Sequence, residues 1–579
     1  MRHRLILAAL TGAVLAGCQQ AEAPPAPAAA PATPAAQTAA PPAAAPTPDS
    51  YSFGPEISVE DFVQHVKVLA SDEFEGRAPG TRGEELTTSY LKTQFERLGL
   101  KPGNGDSFFQ RVPMTETTAR PAPATVTAAG GANVSWSFGD QYVVGTRTGQ
   151  PEVKIENSEL VFVGYGVNAP EADWNDYAGL DVKGKTVVIL VNDPGFHAGD
   201  ESLFGGKRMT YYGRWTYKFE EAARQGAAAA LVVHDDAGAG YGWDVVRNSW
   251  SGAQYDLPAS DDPEPRLPLQ GWINGEVASA LFAAAGLTLD EQRAAANKPG
   301  FKAVPLKATF SSTIQSQIRS AESNNVIALL PGTDKPDEAV IYMGHWDHLG
   351  KHEGEGDQIY NGAIDNATGI AGILEIAEQF TVQDPKPARS VLFMAVTLEE
   401  SGLLGSKYYV AHPVIPLANT VGVINLDAMT VVGRTRDIVV NGFGASELED
   451  LLRPIADAQQ RVMHAEASVE KGFYYRSDHF NFAKAGVPAL YAKSGLDAIE
   501  GGEAHGMAIS DEYGANRYHK PADEFDPSWD LGGVMQDLNA LYLLGRELAG
   551  GDAWPNWKGG NEFKAARDAM MAEKAKAAK

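Results

Sequence analysis

The sequence predicts an α/β protein, a sheet with helices on both faces, carrying a β-rich unit with a small core of its own. Three observations predict it. From about Asn324 onward, apolar runs of strand length alternate with segments of helical periodicity, the pattern of a sheet covered by crossover helices. Between about Glu116 and Lys302 the character changes: Gly, Pro and Asn become frequent and the apolar runs are short and β-like. Ahead of both, Val59 to about Leu100 carries apolar residues at helical spacing.

Taken in order, Phe62, Val66 and Leu69 share one helical face. Leu86, Tyr90, Leu91, Phe95 and Leu98 share a second, which Gly99 and Pro102-Gly103 close. In the β-rich stretch, Glu159–Val167, Thr186–Val191 and Ala228–Val233 read as strands, with one helix around Tyr217–Gln225. Beyond it, Val326–Leu330, Ala339–Met343, Ser390–Val396, Val421–Leu426, Ile438–Val440 and Ala489–Tyr491 read as strands. Helices are expected at Ala367–Phe380, with Ile370, Ile373, Leu374 and Ala377 on one face, and at Leu403–Val410, Leu448–Gln459 and Gly533–Leu548. The Ala/Lys/Glu-rich tail Phe563–Lys579 reads as a solvated helix with no chemistry. No internal repeat stands out.

The chain has 579 residues, 44% hydrophobic and 21% charged, enough to bury a sizeable core. Its 48 Lys and Arg stand against 74 Asp and Glu, a net charge of -26, which argues against nucleic acid as the main partner. The one cysteine, Cys18, leaves no intramolecular disulfide and no thiolate site in the body of the protein. Any metal must be held by His, Asp and Glu.

Residues Met1 to Cys18 read as a processing signal: a basic start of Arg2, His3 and Arg4, then an apolar run, Leu5 to Leu15, too short for a comfortable membrane span. Leu15-Ala16-Gly17-Cys18 resembles the lipobox of bacterial lipoproteins, in which the cysteine is lipidated and becomes the new N-terminus. The Ala/Pro/Thr tract from Gln19 to about Ser50 cannot form a core and reads as a tether. The expectation is an envelope lipoprotein of the outer membrane facing the periplasm, or a secreted protein.

The chemistry is expected where strands end. Ala339–Met343 runs into Gly344-His345-Trp346-Asp347-His348, Ser390–Val396 into Thr397-Leu398-Glu399-Glu400, and Val421–Leu426 into Asp427. A loop before a helix carries Asp365, and Tyr518-His519 comes much later. In open α/β sheets the carboxyl ends of strands form the ligand crevice. Taken singly, each residue has a plain reading, since a Glu-Glu pair after a strand is usually a solvated turn and Asp427 could cap one. Together, two histidines and three carboxylates suit a two-metal site with one carboxylate bridging. Adjacent Glu399 and Glu400 cannot point the same way from an extended chain, so one can ligate while the other stays free as a base.

At these residues the chain resembles the di-zinc exopeptidases, the metallopeptidase family that includes aminopeptidase S and glutamate carboxypeptidase. The resemblance is carried by His345-Trp346-Asp347, Asn361 to Gly369, Glu399-Glu400, Asn425-Leu426-Asp427, Ser477-Asp478-His479 and Tyr518-His519, with Leu69-Ala70-Ser71-Asp72 and Gly76-Arg77 as an N-terminal segment. It implies a doubly wound, mostly parallel mixed sheet of the phosphorylase/hydrolase-like kind. It also implies two zinc ions per chain, one on His345 and Asp427 and one on Glu400 and His519, bridged by Asp365 with a cis peptide to Asn366. Asp347 would hydrogen-bond the far nitrogen of His345, Glu399 would be the general base for a metal-bridged hydroxide, and Tyr518 would help hold the oxyanion. Ser477-Asp478-His479 would be structural, since three consecutive residues do not form a triad.

The β-rich stretch resembles a protease-associated domain through Tyr165-Gly166-Val167, Asp176-Tyr177 and Lys183-Gly184-Lys185. The expected order is signal peptide 1–18, tether 19–50, catalytic domain 51–115, inserted domain 116–302, catalytic domain 303–550 and charged tail 551–579. The function implied is an aminopeptidase acting on peptides or proteins. A carboxypeptidase, a one-zinc glutaminyl cyclase and a non-catalytic, receptor-like envelope protein remain the alternatives. The oligomeric state is left open.

Overall fold

The computed structural model describes residues 51–577. The expected signal peptide, the lipidation residue Cys18 and the tether lie outside the described residues. Helix α1, Val59–Leu69, starts where the Ser58 side chain accepts the Asp61 N–H, a standard N-cap. Helix α2, Arg82–Arg97, starts on Thr81 in the same way, and Gly99 follows its end at φ +71°. Both pack Phe62, Val66, Leu86, Tyr90, Leu91 and Phe95 into the main core. Strand β1, Phe109–Pro121, then leads out of the main lobe.

The inserted lobe contains strands β2 (Tyr142–Gly145), β3 (Glu152–Phe162), β4 (Thr186–Leu190), β5 (Ala229–Val233) and β6 (Leu269–Ile273). Strands β3, β4, β5 and β6 pair in parallel in that order, and β2 closes on β6 antiparallel. Helices α3 (Trp215–Arg224), α4 (Gly275–Ala284) and α5 (Leu289–Ala296) accompany them. The lobe is thus α/β rather than simply β-rich. The sequence reading places α3 but not α4 and α5, whose alanine-rich turns give little apolar contrast between faces. One core cluster, with Val187, Ile189, Val232 and Trp272, belongs to this lobe alone. A second joins Leu231 and Phe282 of the lobe to Tyr474, Phe480 and Trp557 of the main lobe.

Strand β7, Val304–Leu330, runs 27 residues through both lobes. Its first half pairs with β3, its middle with the whole of β1, and its last five residues enter the main sheet. The sequence shows only Val326–Leu330 of it, because the rest alternates polar and apolar residues with no continuous apolar run.

The main sheet contains β8 (Lys335–His345), β9 (Arg389–Val396), β10 (Thr420–Asn425), β11 (Asp437–Val440) and β12 (Ala489–Ser494) in the order β7-β9-β8-β10-β12-β11. The pairs β9–β8, β8–β10 and β10–β12 are parallel, β7–β9 and β12–β11 are antiparallel, and Val462–Ala465 adds a parallel strand beyond β11. Val340 and Tyr342 of β8 enter the core under α1 and α2, while Ile341 and Met343 enter the core on the other face. A one-residue slip would exchange the two sets, so the register is fixed and with it the strand ends. Helices α6 (Gly369–Val382), α7 (Leu404–Ala411), α8 (Leu448–Ala458) and α10 (Gly532–Gly550) stand within two or three residues of expectation. Helix α9, Gly502–Asn516, was not expected; it is exposed on nearly every side and has no apolar face to read. The tail helix α11, Lys564–Ala577, is docked rather than free: buried Arg567 donates to the Thr420 carbonyl at 3.2 Å.

Candidate metal centre

Three parallel strands end side by side at one edge, and each delivers an acidic or imidazole side chain. Strand β8 ends on His345, β9 runs on to Glu399 and Glu400, and β10 runs on to Asp427. The fourth contribution is a helical turn, Ala363–Thr368, that holds Asp365 just ahead of α6. Gly362 enters that turn at φ +54°, and a Cβ there would lie 2.2 Å from the Asp365 carbonyl oxygen. The Asp365–Asn366 peptide is cis. The Asn366 side chain ties this turn to the strand ends, donating to the Leu426 carbonyl at 3.0 Å and accepting the Ala428 N–H at 3.1 Å.

The donor atoms converge around Asp365. Its Oδ1 lies 3.3 Å from His345 Nε2 and its Oδ2 lies 3.2 Å from His519 Nε2. Asp427 Oδ1 is 3.5 Å from His345 Nε2, and Glu400 Oε2 is 3.3 Å from His519 Nε2. Two nitrogen–oxygen donor pairs are therefore joined by one carboxylate. Glu399 faces His345 and Asp427 within the same cluster. Asp365, Glu399, Glu400 and Asp427 carry four negative charges when ionised, which two divalent cations would balance. Imidazole with carboxylate is a borderline donor set that suits zinc. Burial acts to raise the Asp365 carboxyl, but His345 and His519 outweigh it and hold it well below the usual range. Burial pushes Glu399 well above, with Glu400 and Asp427 adding to the rise against His345.

Asp347 departs from expectation in detail. Its Oδ1 is 3.9 Å from His345 Nδ1, too far for a hydrogen bond, and the 3.1 Å contact of that nitrogen is to the Asp347 backbone carbonyl. The Asp347 side chain instead accepts the Glu399 N–H at 3.2 Å, so it positions the loop that carries both glutamates. Tyr518 is 48% exposed and stacks on the His519 ring with centroids 4.0 Å apart. Ser477 donates to Asp427 Oδ2 at 2.6 Å. Burial pushes His479 down to about 3, and neither ring nitrogen has a hydrogen-bond partner among the described residues. The three consecutive residues Ser477, Asp478 and His479 make no catalytic relay.

The sequence reading gave three contributors no role. His348 Nδ1 contacts Glu400 Oε1 at 2.6 Å and fixes the second glutamate. Asp523 accepts the Ile364 and Asp365 N–H groups at 3.0 and 3.1 Å. Buried Arg77 donates to the carbonyls of Trp346, Asn361 and Gly362 at 2.6–2.9 Å, clamping the His345 and Asp365 loops together. His348 and Asp523 sit three and four residues from His345 and His519, a proximity the sequence does offer.

Residues 325–543 match the model of peptidase family M28. A probable glutamate carboxypeptidase, AMP1 of Arabidopsis thaliana, is 24% identical over 513 residues, 82% of this chain and 64% of its own length. Leupeptin-inactivating enzyme 1 of Streptomyces exfoliatus is 27% identical over 225 residues, 37% of this chain and 47% of its own length. The chain thus spans about half to two thirds of the length of these two relatives. Among solved structures, an aminopeptidase from Aneurinibacillus sp. strain AM-1 aligns with a TM-score of 0.44 and 19% identity over 86% of this chain and 95% of its own. His345, Asp365, Glu400, Asp427 and His519 all fall inside the segment that matches peptidase family M28.

Proposed function

We propose that the protein is a zinc-dependent aminopeptidase. The observation that carries this reading is the bridging geometry of Asp365, whose two oxygens each face a different histidine at 3.2–3.3 Å. His345 with Asp427 would hold one ion, His519 with Glu400 the other. Zinc bound there supplies Lewis acidity, which polarises a substrate carbonyl and lowers the pKa of water at the site.

The remaining steps belong to the chain. Glu399 takes the proton from the attacking water and returns it to the leaving amine. The Tyr518 hydroxyl, exposed beside His519, donates to the carbonyl oxygen as negative charge develops on it. Asp347 holds the backbone of Glu399, and His348 holds Glu400, so base and ligand stay apart. The envelope location is likewise proposed, with Cys18 as the lipidated residue; labelled palmitate incorporation lost in Cys18→Ser tests it.

The experiment is hydrolysis of a peptide mixture and its N-acetylated twin, with and without chelator, with products read by mass. Stepwise loss from free N-termini alone, abolished by chelator and restored by zinc, supports the proposal. Trimming of both twins from the other end would make the protein a carboxypeptidase. Zinc bound at one ion per chain without peptide cleavage would favour a cyclase.

A further inference from the structure

The loop that carries Glu399 and Glu400 is closed at its base by one buried side chain. Strand β9 ends at Val396 and α7 begins at Leu404, and the chain between them turns back on itself. Gly405 donates its N–H to the Thr397 carbonyl and Leu404 donates to the Leu398 carbonyl, both at 3.0 Å. Asn325 of β7 reaches across both feet of this turn. Its Oδ1 accepts the Thr397 N–H at 3.1 Å, and its Nδ2 donates to the Gly405 carbonyl at 2.9 Å and to Gln110 Oε1 at 3.0 Å. Asn325, Thr397 and Gln110 are all buried. Both amide hydrogens of Asn325 are engaged, and turning the amide over would lose all three bonds. Ser323, on the same strand, places its hydroxyl 2.6 Å from Thr397 Oγ1.

The sheet itself does not need this side chain. Backbone ladders to β7 and β8 already hold β9 on both sides as far as Ala395, and the Asn325 amide acts beyond them, on the turn. The turn is under strain. Leu398, directly ahead of Glu399, stands at φ +57° and Leu403 at φ +61°, a left-handed conformation that a leucine holds only where its surroundings impose it. Leu398 is buried with Val112 and Met114 of β1, with Leu404, and with Leu257 of the inserted lobe. A Cβ on Gly405 would stand 2.2 Å from the Thr397 carbonyl oxygen and 2.5 Å from Asn325 Oδ1, so the feet are closer than any residue but glycine permits. Asn325 also sits where three strands meet. It faces Gln110 in the β1–β7 pairing, and the β7–β9 ladder starts at the next residue, with Val326 opposite Ala395. The ribbon of β1 and β7 that runs into the inserted lobe therefore ends on the loop of the two glutamates.

We propose that Asn325 is a positioning residue for the hydrolysis: by holding Thr397 and Gly405 together it fixes where Glu399 and Glu400 stand relative to the other donors. It acts through the backbone of the turn and not on the side chains of the pair. Glu399 faces His345 and Asp427 while Glu400 faces His519, so a twist of the turn displaces base and ligand at once. A displacement of about 1 Å at a reacting group costs up to about a hundredfold in rate. The proposal deepens the reading of Glu399 as the base and Glu400 as a ligand, and rests on it.

The test uses the whole protein and three variants. Asn325→Leu keeps the size of the side chain and removes its three bonds. Gly405→Ala leaves Asn325 in place and forces the feet apart, although alanine is the better helix former. Ile327→Ala opens the core on the same strand, away from the turn, and is the control for lost stability. On a peptide that the zinc-loaded wild type cleaves, both loop variants are expected to lose about 10–100-fold in kcat with KM within about twofold. Ile327→Ala should keep both constants while its thermal midpoint falls. A second readout needs no turnover: cobalt(II) loaded in place of zinc absorbs visible light according to the geometry of its donors. Its band should change in the two loop variants, through Glu400, and keep the wild-type form in Ile327→Ala. Wild-type kcat and a wild-type band in both loop variants would overturn the proposal and leave Asn325 a residue of the fold. An equal loss of kcat in Ile327→Ala would overturn it as well, since lost stability would then suffice. If the wild type cleaves no peptide, the hydrolase reading fails separately and the cobalt band decides: a change confined to the loop variants supports the role of Asn325, and no change overturns it. If Asn325→Leu does not fold, Gly405→Ala carries both measurements with the same outcomes.

Discussion

The Asp523 carboxylate accepts the backbone N–H of Asp365 at 3.1 Å, four residues past His519 in the chain. One buried side chain thus locks the bridging residue to the loop that brings the last histidine. Asp523 touches no donor atom of the centre; it fixes where Asp365 points. Asp523→Ala should therefore lower zinc affinity about 10–100-fold, the usual cost of removing such support. Competition with a chelator of known affinity measures it, and an unchanged affinity would show that the turn holds itself.

Asp365→Ala removes the shared oxygen donor from both halves of the centre. Zinc is expected to fall below one ion per chain after dialysis, read by elemental analysis. A variant that retains two ions would contradict the bridging role.

Glu399→Ala keeps His345, Asp365, Glu400, Asp427 and His519, the five residues that would hold the ions. Zinc content should stay at the wild-type value while kcat falls by about a thousandfold or more. Retained turnover would remove Glu399 as the base.

Much of this site was legible because parallel strands set their own C-terminal ends at one edge. His345, Glu399-Glu400 and Asp427 each follow an apolar run, so chain order alone places them together. Asp365 and His519 follow no strand, and only the motif resemblance singles them out. His348, Asp523 and Arg77 received no role because their part is to hold backbone and side chains of the ligand loops, which no spacing marks. The inserted lobe was the least legible part of the fold: β7 alternates polar and apolar residues over most of its length, and α4 and α5 are short and alanine-rich.

Chelation should destabilise the protein as well as silence it. Without cations, four carboxylates face one another in a buried cluster, and binding to the folded state alone stabilises by mass action. The thermal midpoint is expected to drop by on the order of 10 °C with chelator and to return with zinc. A midpoint indifferent to chelator would mean that the centre holds no tightly bound ion.

A second acidic group gives stability its own pH dependence. Glu375, Glu378 and Asp61 lie buried together under α1, with Glu378 paired to Arg97. Burial, with Glu378 and Asp61 adding to it, pushes Glu375 from 4.5 up to about 9. A carboxyl raised in the folded state contributes stability that is full below its unfolded pKa and is lost as pH rises through its folded one. The urea midpoint should therefore fall from about pH 5 to about pH 9. Glu375→Gln should flatten that slope and overtake the wild type near pH 9 by a few kcal/mol, on the order of the shift itself. Parallel slopes for the two proteins would assign the pH dependence elsewhere.

Strand β7 has a consequence for how such a protein is altered. Its 27 residues are hydrogen-bonded in one lobe, between the lobes and in the other, so no peptide bond along it is a neutral place to cut. The inserted lobe is grafted rather than hung. Excising or exchanging it as a cassette would sever a shared backbone and expose fresh strand edges, which invite aggregation. The lobe can be tuned residue by residue, and a swap would have to carry β1 and β7 along with it.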